Sequence, residues 1–343
     1  MRELSAFHFV EFLSSYIKRL NSINFLLLKT IVVLLFRKQH FANLFVFLDM
    51  KHIQLLSVFT LFFSFFVNSS FAQKEQKVDS VYLAGSSLGV IKNPVLEEIS
   101  GLAFSHKHPN LIYVHTDSGG DPAVYLLDSM GKELGVIQLE GVKNRDWEDI
   151  AVGPGPGGKP YVFVAEIGDN AAIHGEICII RFPEPNTLTA KTTVKPEVLR
   201  LTYPGGARDA ETLMVDPISS DLFIVSKRDD KNSLYRVPQS AFSKGKSTLE
   251  KLHNLDFTSS VAGDIARDGS KILIKNYFTI YYWERKTGES IPQALQRVPK
   301  RLPYVPEPQG EAIGFNPSGN SFFTISEKRF NVNPTVYRYP KKR

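Results

Sequence analysis

The chain has 343 residues, with 41 Lys and Arg against 35 Asp and Glu, a net charge of +6, one Cys and 12% aromatic residues. That composition excludes a wholly disordered chain, and a single Cys excludes both a disulfide scaffold and an all-cysteine zinc site. The charge excess sits at the start: residues 1–72 hold Arg2, Lys18, Arg19, Lys29, Arg37, Lys38 and Lys51 against Glu3, Glu11 and Asp49, which leaves 34 basic and 32 acidic residues in 73–343. A body so near neutral carries no electrostatic footprint for DNA or RNA, so nucleic acid is not an expected partner.

In residues 1–49 the apolar run 24–36 is broken by Lys29 and is too short to span a bilayer. This segment reads as upstream sequence preceding a start at Met50, the alternative being an additional membrane-associated segment. Residues 50–72 have the layout of a secretory signal peptide: Met50-Lys51-His52, then an apolar core over 53–67, then Ser70 and Ala72 as small residues before a cut. No Cys follows the core, so a lipid anchor is not expected. The core also falls short of the roughly 20 apolar residues of a transmembrane helix. The expectation is a mature chain, 73–343, exported to the periplasm or medium after cleavage near Ala72, monomeric and without a membrane span.

The mature chain alternates short runs of Val, Ile, Tyr and Phe with Gly, Pro, Asp and Asn, the pattern of an all-β protein. One phrase recurs: Ser100-Gly-Leu-Ala-Phe104, Glu148-Asp-Ile-Ala-Val152, Glu211-Thr-Leu-Met-Val215, Gly263-Asp-Ile-Ala266 and Glu311-Ala-Ile-Gly-Phe315. Its apolar residues 102, 150, 213, 265 and 313 are 48, 63, 52 and 48 apart. A turn and a second strand follow each time, over 111–115, 161–165, 221–226, 271–275 and 321–326. A repeat of about 40–50 residues with about four strands is a propeller blade. Five blades are visible and a degenerate sixth is possible. The long interval reads as an insertion near 183–196, and the last repeat lacks a strand that residues 81–90 can supply to close the ring.

In a propeller the first strand of each blade lines a central channel. The phrase therefore gathers Glu98, Glu148, Asp149, Glu211, Asp264 and Glu311 around one axis, and the ends of second strands add Asp117, Asp169, Asn170, Lys227, Lys275 and Glu327. His115 is the one histidine placed to face the channel. Carboxylates crowded together repel and raise one another's pKa unless a cation neutralises them. An all-oxygen set without a His or Cys cluster points to Ca²⁺, and less to Mg²⁺, rather than Zn²⁺. The alternative for Glu148 and Glu211 is a hydrogen bond to the backbone of the next blade. For Lys227 and Lys275 the choice is between ion pairing and holding an anion. Gly85-Ser-Ser-Leu-Gly89 matches a nucleophile elbow in letters, but no helix pattern follows it.

The phrases Glu98-Ile-Ser-Gly-Leu-Ala103, Asp146-Trp-Glu-Asp-Ile-Ala151, Gly168-Asp-Asn170, Arg208-Asp-Ala-Glu-Thr-Leu213 and Gln309-Gly-Glu-Ala-Ile313 resemble a largely uncharacterised family of secreted bacterial β-propellers. More distantly the layout is similar to phytase-type and gluconolactonase-type propellers. That resemblance implies a channel metal held by residues such as Glu148, Glu211, Asp264 and Glu311, with Lys227 and Lys275 as anion holders; Ser100 and Gly263 depart from the pattern. The expected function is binding of a divalent cation or small ligand in the channel. The alternatives are a Ca²⁺-dependent hydrolase of a phosphoester, ester or lactone, with Glu148 or Glu211 as base, and a non-catalytic protein-interaction propeller.

Overall fold

The computed structural model describes residues 78–343, so the expectations for the upstream extension and the signal peptide lie outside the described residues. Five small, mainly antiparallel sheets form a ring, a five-bladed β-propeller. Blade one holds β2 (Ile99–Phe104), β3 (Leu111–Thr116), β4 (Ala123–Asp128) and β5 (Glu133–Leu139). Blade two holds β6 (Trp147–Pro154), β7 (Pro160–Glu166), β8 (Ile177–Pro183) and β10 (Glu197–Thr202), with β9 (Lys191–Val194) in the connection before β10. Blade three is β11 (Ala210–Val215), β12 (Leu222–Ser226), β13 (Ser233–Val237) and β15 (Glu250–Asn254), with β14 (Lys246–Thr248) preceding its last strand. Blade four is β16 (Ser260–Ile265), β17 (Lys271–Asn276), β18 (Ile280–Glu284) and β19 (Lys300–Leu302). Blade five is β20 (Gly310–Phe315), β21 (Ser321–Ser326) and β22 (Thr335–Pro340), completed by β1 (Ser86–Val90).

The inner strands β2, β6, β11, β16 and β20 pack side by side in that order, and β20 returns to β2. Five apolar clusters fill the five gaps between blades. Phe163, Leu199, Leu213 and Ile224 lie between blades two and three, and Leu102, Val114, Ala312 and Ile325 between blades five and one. A blade sandwiched between two neighbours buries both of its faces, which is why β3, β12 and β21 are buried throughout and carry consecutive apolar residues rather than an alternation with exposed polar ones. At roughly 25 cal/mol per Å² of apolar surface, these gaps are the main source of stability.

The ring closes as the sequence predicts: β1 pairs antiparallel with β22, so the last blade takes its outer strand from the start of the chain. Tyr82, ahead of β1, is buried between blades four and five, where its hydroxyl donates to the Gly319 carbonyl at 3.1 Å. The insertion near 183–196 does more than lengthen blade two. Its strand β9 crosses back and pairs parallel with β5, giving blade one a fifth strand. Likewise β14, from blade three, pairs parallel with β10 of blade two. Each of these two blades thus has its outer edge covered by the following one, which removes an exposed row of backbone hydrogen-bonding groups.

Candidate functional site at the channel mouth

All five inner strands break register at the same place, near their start. The pairing with the second strand skips Ser100, Glu148, Glu211, Val261 and Glu311 in turn. A bulge re-aims a side chain out of the alternation of its strand. Here it separates neighbours in sequence: Glu148 and Asp149 are both buried, yet they do different things.

Asp149 is a strut between blades. Its carboxylate accepts from the backbone N–H of Ile150 at 2.9 Å, of Leu213 in blade three at 2.8 Å and of Gly263 in blade four at 3.4 Å. Asp264 does the same further along the channel, accepting from Ile265 at 2.8 Å and from Phe315 in blade five at 2.7 Å. Burial nevertheless pushes the Asp264 carboxyl up to about 7. The blade-to-blade hydrogen bonds considered for Glu148 and Glu211 are therefore made by other residues.

The register also revises the fourth repeat. The bulge equates Val261 with Glu148 and Glu211, so the match of Gly263-Asp264 to Glu148-Asp149 is two residues late; the corrected spacings of the bulged residues are 48, 63, 50 and 50. By the same register the residue that follows each second strand at the mouth is Asp117, Ile167, Lys227, Tyr277 or Glu327. Lys275 is not in this set. It pairs opposite Ala262, as His115 does opposite Gly101. Lys275 is buried and donates to the Gly310 carbonyl, with its ammonium 4.9 Å from the Tyr304 ring centre. Burial lowers its pKa to about 8, against the pull of Glu307 and Glu311. His115 is also enclosed, edge-on to Trp147 at 6.0 Å, with Nδ1 3.1 Å from the Thr116 carbonyl oxygen; burial lowers it to about 4.

Two groups of three carboxylates meet at the mouth, Asp117–Asp146–Glu148 and Glu148–Asp209–Glu211, each with ligand oxygens within 4.8 Å of one another. Glu148 belongs to both. Burial raises its pKa well above the ordinary value, and Glu211, Asp117 and Asp146 add to the effect. Burial raises Asp117 to about 6, and Asp146 also lies high through burial and the nearby Asp209. Asn144 holds this wall together: its amide donates to the carbonyls of Thr116 at 2.9 Å and Asp117 at 2.8 Å, and its oxygen accepts from the Trp147 N–H at 3.1 Å. The end of β3 is thereby fixed beside the start of β6. Asn232 repeats the device between blades three and four, donating to the Lys227 carbonyl at 2.9 Å and accepting from the Ser260 N–H at 2.9 Å. Gly168 closes the floor, because a Cβ there would run into Glu148 Oε1 and Asp146 Oδ2.

The two groups differ in what already neutralises them. Glu211 accepts from Lys227, and Asp209 is paired with Arg228 at 2.6 Å. Burial works against the Lys227 charge, but Glu211, Glu311 and Glu148 outweigh it and raise its pKa. The Lys227 ammonium also donates to the Tyr277 hydroxyl at 2.9 Å, and that hydroxyl donates to Glu311 at 2.6 Å. Asp117, Asp146 and Glu148 have no such chain. Among the described residues no protein donor is hydrogen-bonded to the Glu148 carboxylate, although its residue is 3% exposed. Three carboxylates, one of them buried and unpartnered, suit Ca²⁺, which takes roughly 6–8 oxygens in flexible geometry.

The remaining expected site residues lie outside these two groups of three. Glu98 is exposed at the start of blade one. Asp169 shapes a turn, accepting from the N–H of Ile173 at 3.0 Å and His174 at 2.7 Å, and Asn170 accepts from Arg228 on the surface. Glu327 is buried near Glu311. Asp146 and Asp209 were not among the expected ligands. Their signal is an Asp two residues before the bulged Glu, in Asp146-Trp-Glu148 and again in Asp209-Ala-Glu211.

No protein-family model matches this sequence, and no curated protein matches it. Among solved structures the chain is similar to hydrazine synthase from Kuenenia stuttgartiensis, with 12% identity over 69% of this chain and 82% of that one and a TM-score of 0.38, a distant likeness from which no function is read. Fold and site geometry are what this chain offers for a functional reading.

Proposed function

We propose that the protein is an exported propeller that binds one divalent cation, Ca²⁺ in preference to Mg²⁺, at the channel mouth between Asp117, Asp146 and Glu148. The observation that carries this reading is Glu148, a buried carboxylate shared by two acidic groups and hydrogen-bonded to no protein donor among the described residues. A buried charge in that state is costly, and a cation is the remedy that a wall of oxygens provides. The neighbouring group is a weaker candidate because Lys227 and Arg228 already supply its positive charge. The same pairing leaves Glu211 poorly suited as a free catalytic base, so the reading is one of binding rather than of hydrolysis. The run from Met50 to Ala72 supports export.

Thermal unfolding in EDTA, then with Ca²⁺ or Mg²⁺, tests the site. A cation at 100 times its dissociation constant stabilises the native state by about 2.7 kcal/mol, so Tm should rise by several degrees with Ca²⁺ and less with Mg²⁺. Glu148→Gln should abolish the rise, and Gly168→Ala, which crowds both carboxylates, should weaken binding. An unchanged Tm with either ion overturns the reading.

A further inference from the structure

The face of the ring that carries the mouth also carries exposed apolar side chains that the fold does not use. We propose that this face docks a protein segment with one Lys or Arg between apolar residues: the basic side chain reaches Asp117, Asp146 and Glu148, and Ile173, Phe278 and Phe330 hold the apolar flanks. The inference uses the open carboxylates but needs no metal. The segment's own charge stands where Ca²⁺ is proposed, so the two exclude each other.

Phe278 and Phe330 are the two exposed phenylalanines among the described residues, at 86% and 90% exposure. Both sit in the connection that leaves a second strand, β17 or β21, and Ile173, 73% exposed, sits in the same connection after β7. These connections start at the mouth. Tyr277, next to Phe278, bonds Lys227 and Glu311, and Asp169, which accepts from the Ile173 N–H, donates its own N–H to Asp209 at 2.9 Å. Phe278 is held in place by the Asn276 side chain, which accepts from the N–H groups of Phe278 at 3.0 Å and Thr279 at 2.8 Å. Phe330 is held under strain. It and Asn331 are the centre of a tight turn closed by the Val332 N–H on the Arg329 carbonyl at 2.8 Å, with φ of 52° and 63°. That left-handed conformation suits Gly or Asn and disfavours a bulky residue. A turn that only reversed the chain gains nothing from an exposed Phe there, whereas a rigid apolar tip loses little entropy on binding.

Charge selects the occupant. Arg228, Lys231, Lys328 and Arg329 on this face are each paired with a carboxylate. Asp117, Asp146 and Glu148 form no ion pair among the described residues, and Glu98 and Asp230 add exposed negative charge on the same side. The free charge is therefore negative. An acidic segment or an anionic lipid surface is repelled, and a purely apolar segment leaves Glu148 buried without a partner. Glu148 is buried whereas Asp117 and Asp146 are half-buried, so what reaches all three is the charged end of a long, thin side chain. Lys and Arg have that shape, and their methylene stems lie well on an apolar rim.

An array of heptapeptides with Lys, Glu or norleucine at the centre and Leu, Phe or Ser on either side, probed with the full chain in EDTA, tests the docking. Retention should be strongest on Lys between Leu or Phe, and Phe278→Ser and Phe330→Asn should each weaken it about tenfold. Phe330→Asn adds a readout that a folding role would not give. Asn tolerates the left-handed turn, so Tm should hold or rise while retention falls. Retention without preference for a central Lys, or retention unchanged in both variants, overturns the proposal, as does a Tm lowered by Phe330→Asn. Binding to vesicles of phosphatidylcholine and phosphatidylglycerol in place of the Lys peptides makes this a membrane surface and overturns it too. If one variant fails to fold, the other decides. Ca²⁺ separates this proposal from the cation reading. Retention that Ca²⁺ displaces supports both, and retention that Ca²⁺ leaves untouched keeps the docking and counts against the cation. A Ca²⁺-dependent Tm with no retained peptide overturns the docking and leaves the cation reading intact.

Discussion

The two walls of the channel mouth are built from the same repeat and reach opposite electrostatic ends. On the side of blades three to five, three acidic groups have a partner: Lys227 for Glu211, Arg228 for Asp209, Tyr277 for Glu311. On the side of blades one and two, Asp117, Asp146 and Glu148 face each other with no such chain, and the ring position of blade two is the apolar Ile167. The repeat supplies a bulge that aims a side chain into the channel, and the residue placed there decides whether the wall is closed on itself or left to bind something else.

The strongest way to break the contrast is to open the closed wall. Lys227→Met leaves Glu211 buried and unpaired, and breaking such a pair costs about 3–5 kcal/mol. Unfolding by denaturant in EDTA should show that loss. Ca²⁺ should restore part of it, because Glu211 then joins Glu148 and Asp209 in a second open group. A loss that Ca²⁺ does not touch would mean that the two walls are not interchangeable.

Neighbouring residues sharpen it next. Asp149→Ala removes the acceptor for three backbone N–H groups in blades two, three and four, and at about 1–3 kcal/mol for each buried group left unsatisfied the cost should be about 3 kcal/mol or more. Glu148→Gln, one residue away, should cost nothing in EDTA. Equal losses from the two variants would make Glu148 a structural residue as well.

The smallest effect is on pH. Ordinary unfolded carboxyls of this type release protons near 3.8, whereas native Asp117 and Asp264 hold theirs to about 6 and about 7, both chiefly through burial. In that window the native state binds more protons than the unfolded chain, so stability falls as pH rises. Without cation, Tm should decline from about pH 4 to pH 7. Ca²⁺ should remove the share of Asp117 and leave that of Asp264, which lies outside the mouth. An identical decline with and without Ca²⁺ would separate Asp117 from the cation.

Much of this was legible in the sequence because blades repeat in letters. The inner and second strands fall where the recurring phrase places them, and β1 fills the vacancy predicted in the last blade. The bulge was not legible, since a skipped residue changes pairing without changing composition. That is also why Gly263-Asp264 imitated Glu148-Asp149 and why Lys275 was set at the mouth in place of Tyr277. The return of β9 and β14 to the preceding blade depends on a free sheet edge that only the assembled ring defines.

That exchange of strands has a consequence in time. During synthesis blade one lacks its fifth strand until residues 191–194 have been made, and β1 lacks its partner until 335–340 are available. Long-range pairings of this kind slow folding, because the entropy of closing the loop is lost before any contact rewards it. Blades one to four pair mostly within themselves, but the ring cannot close until residues 335–340 arrive to take up β1.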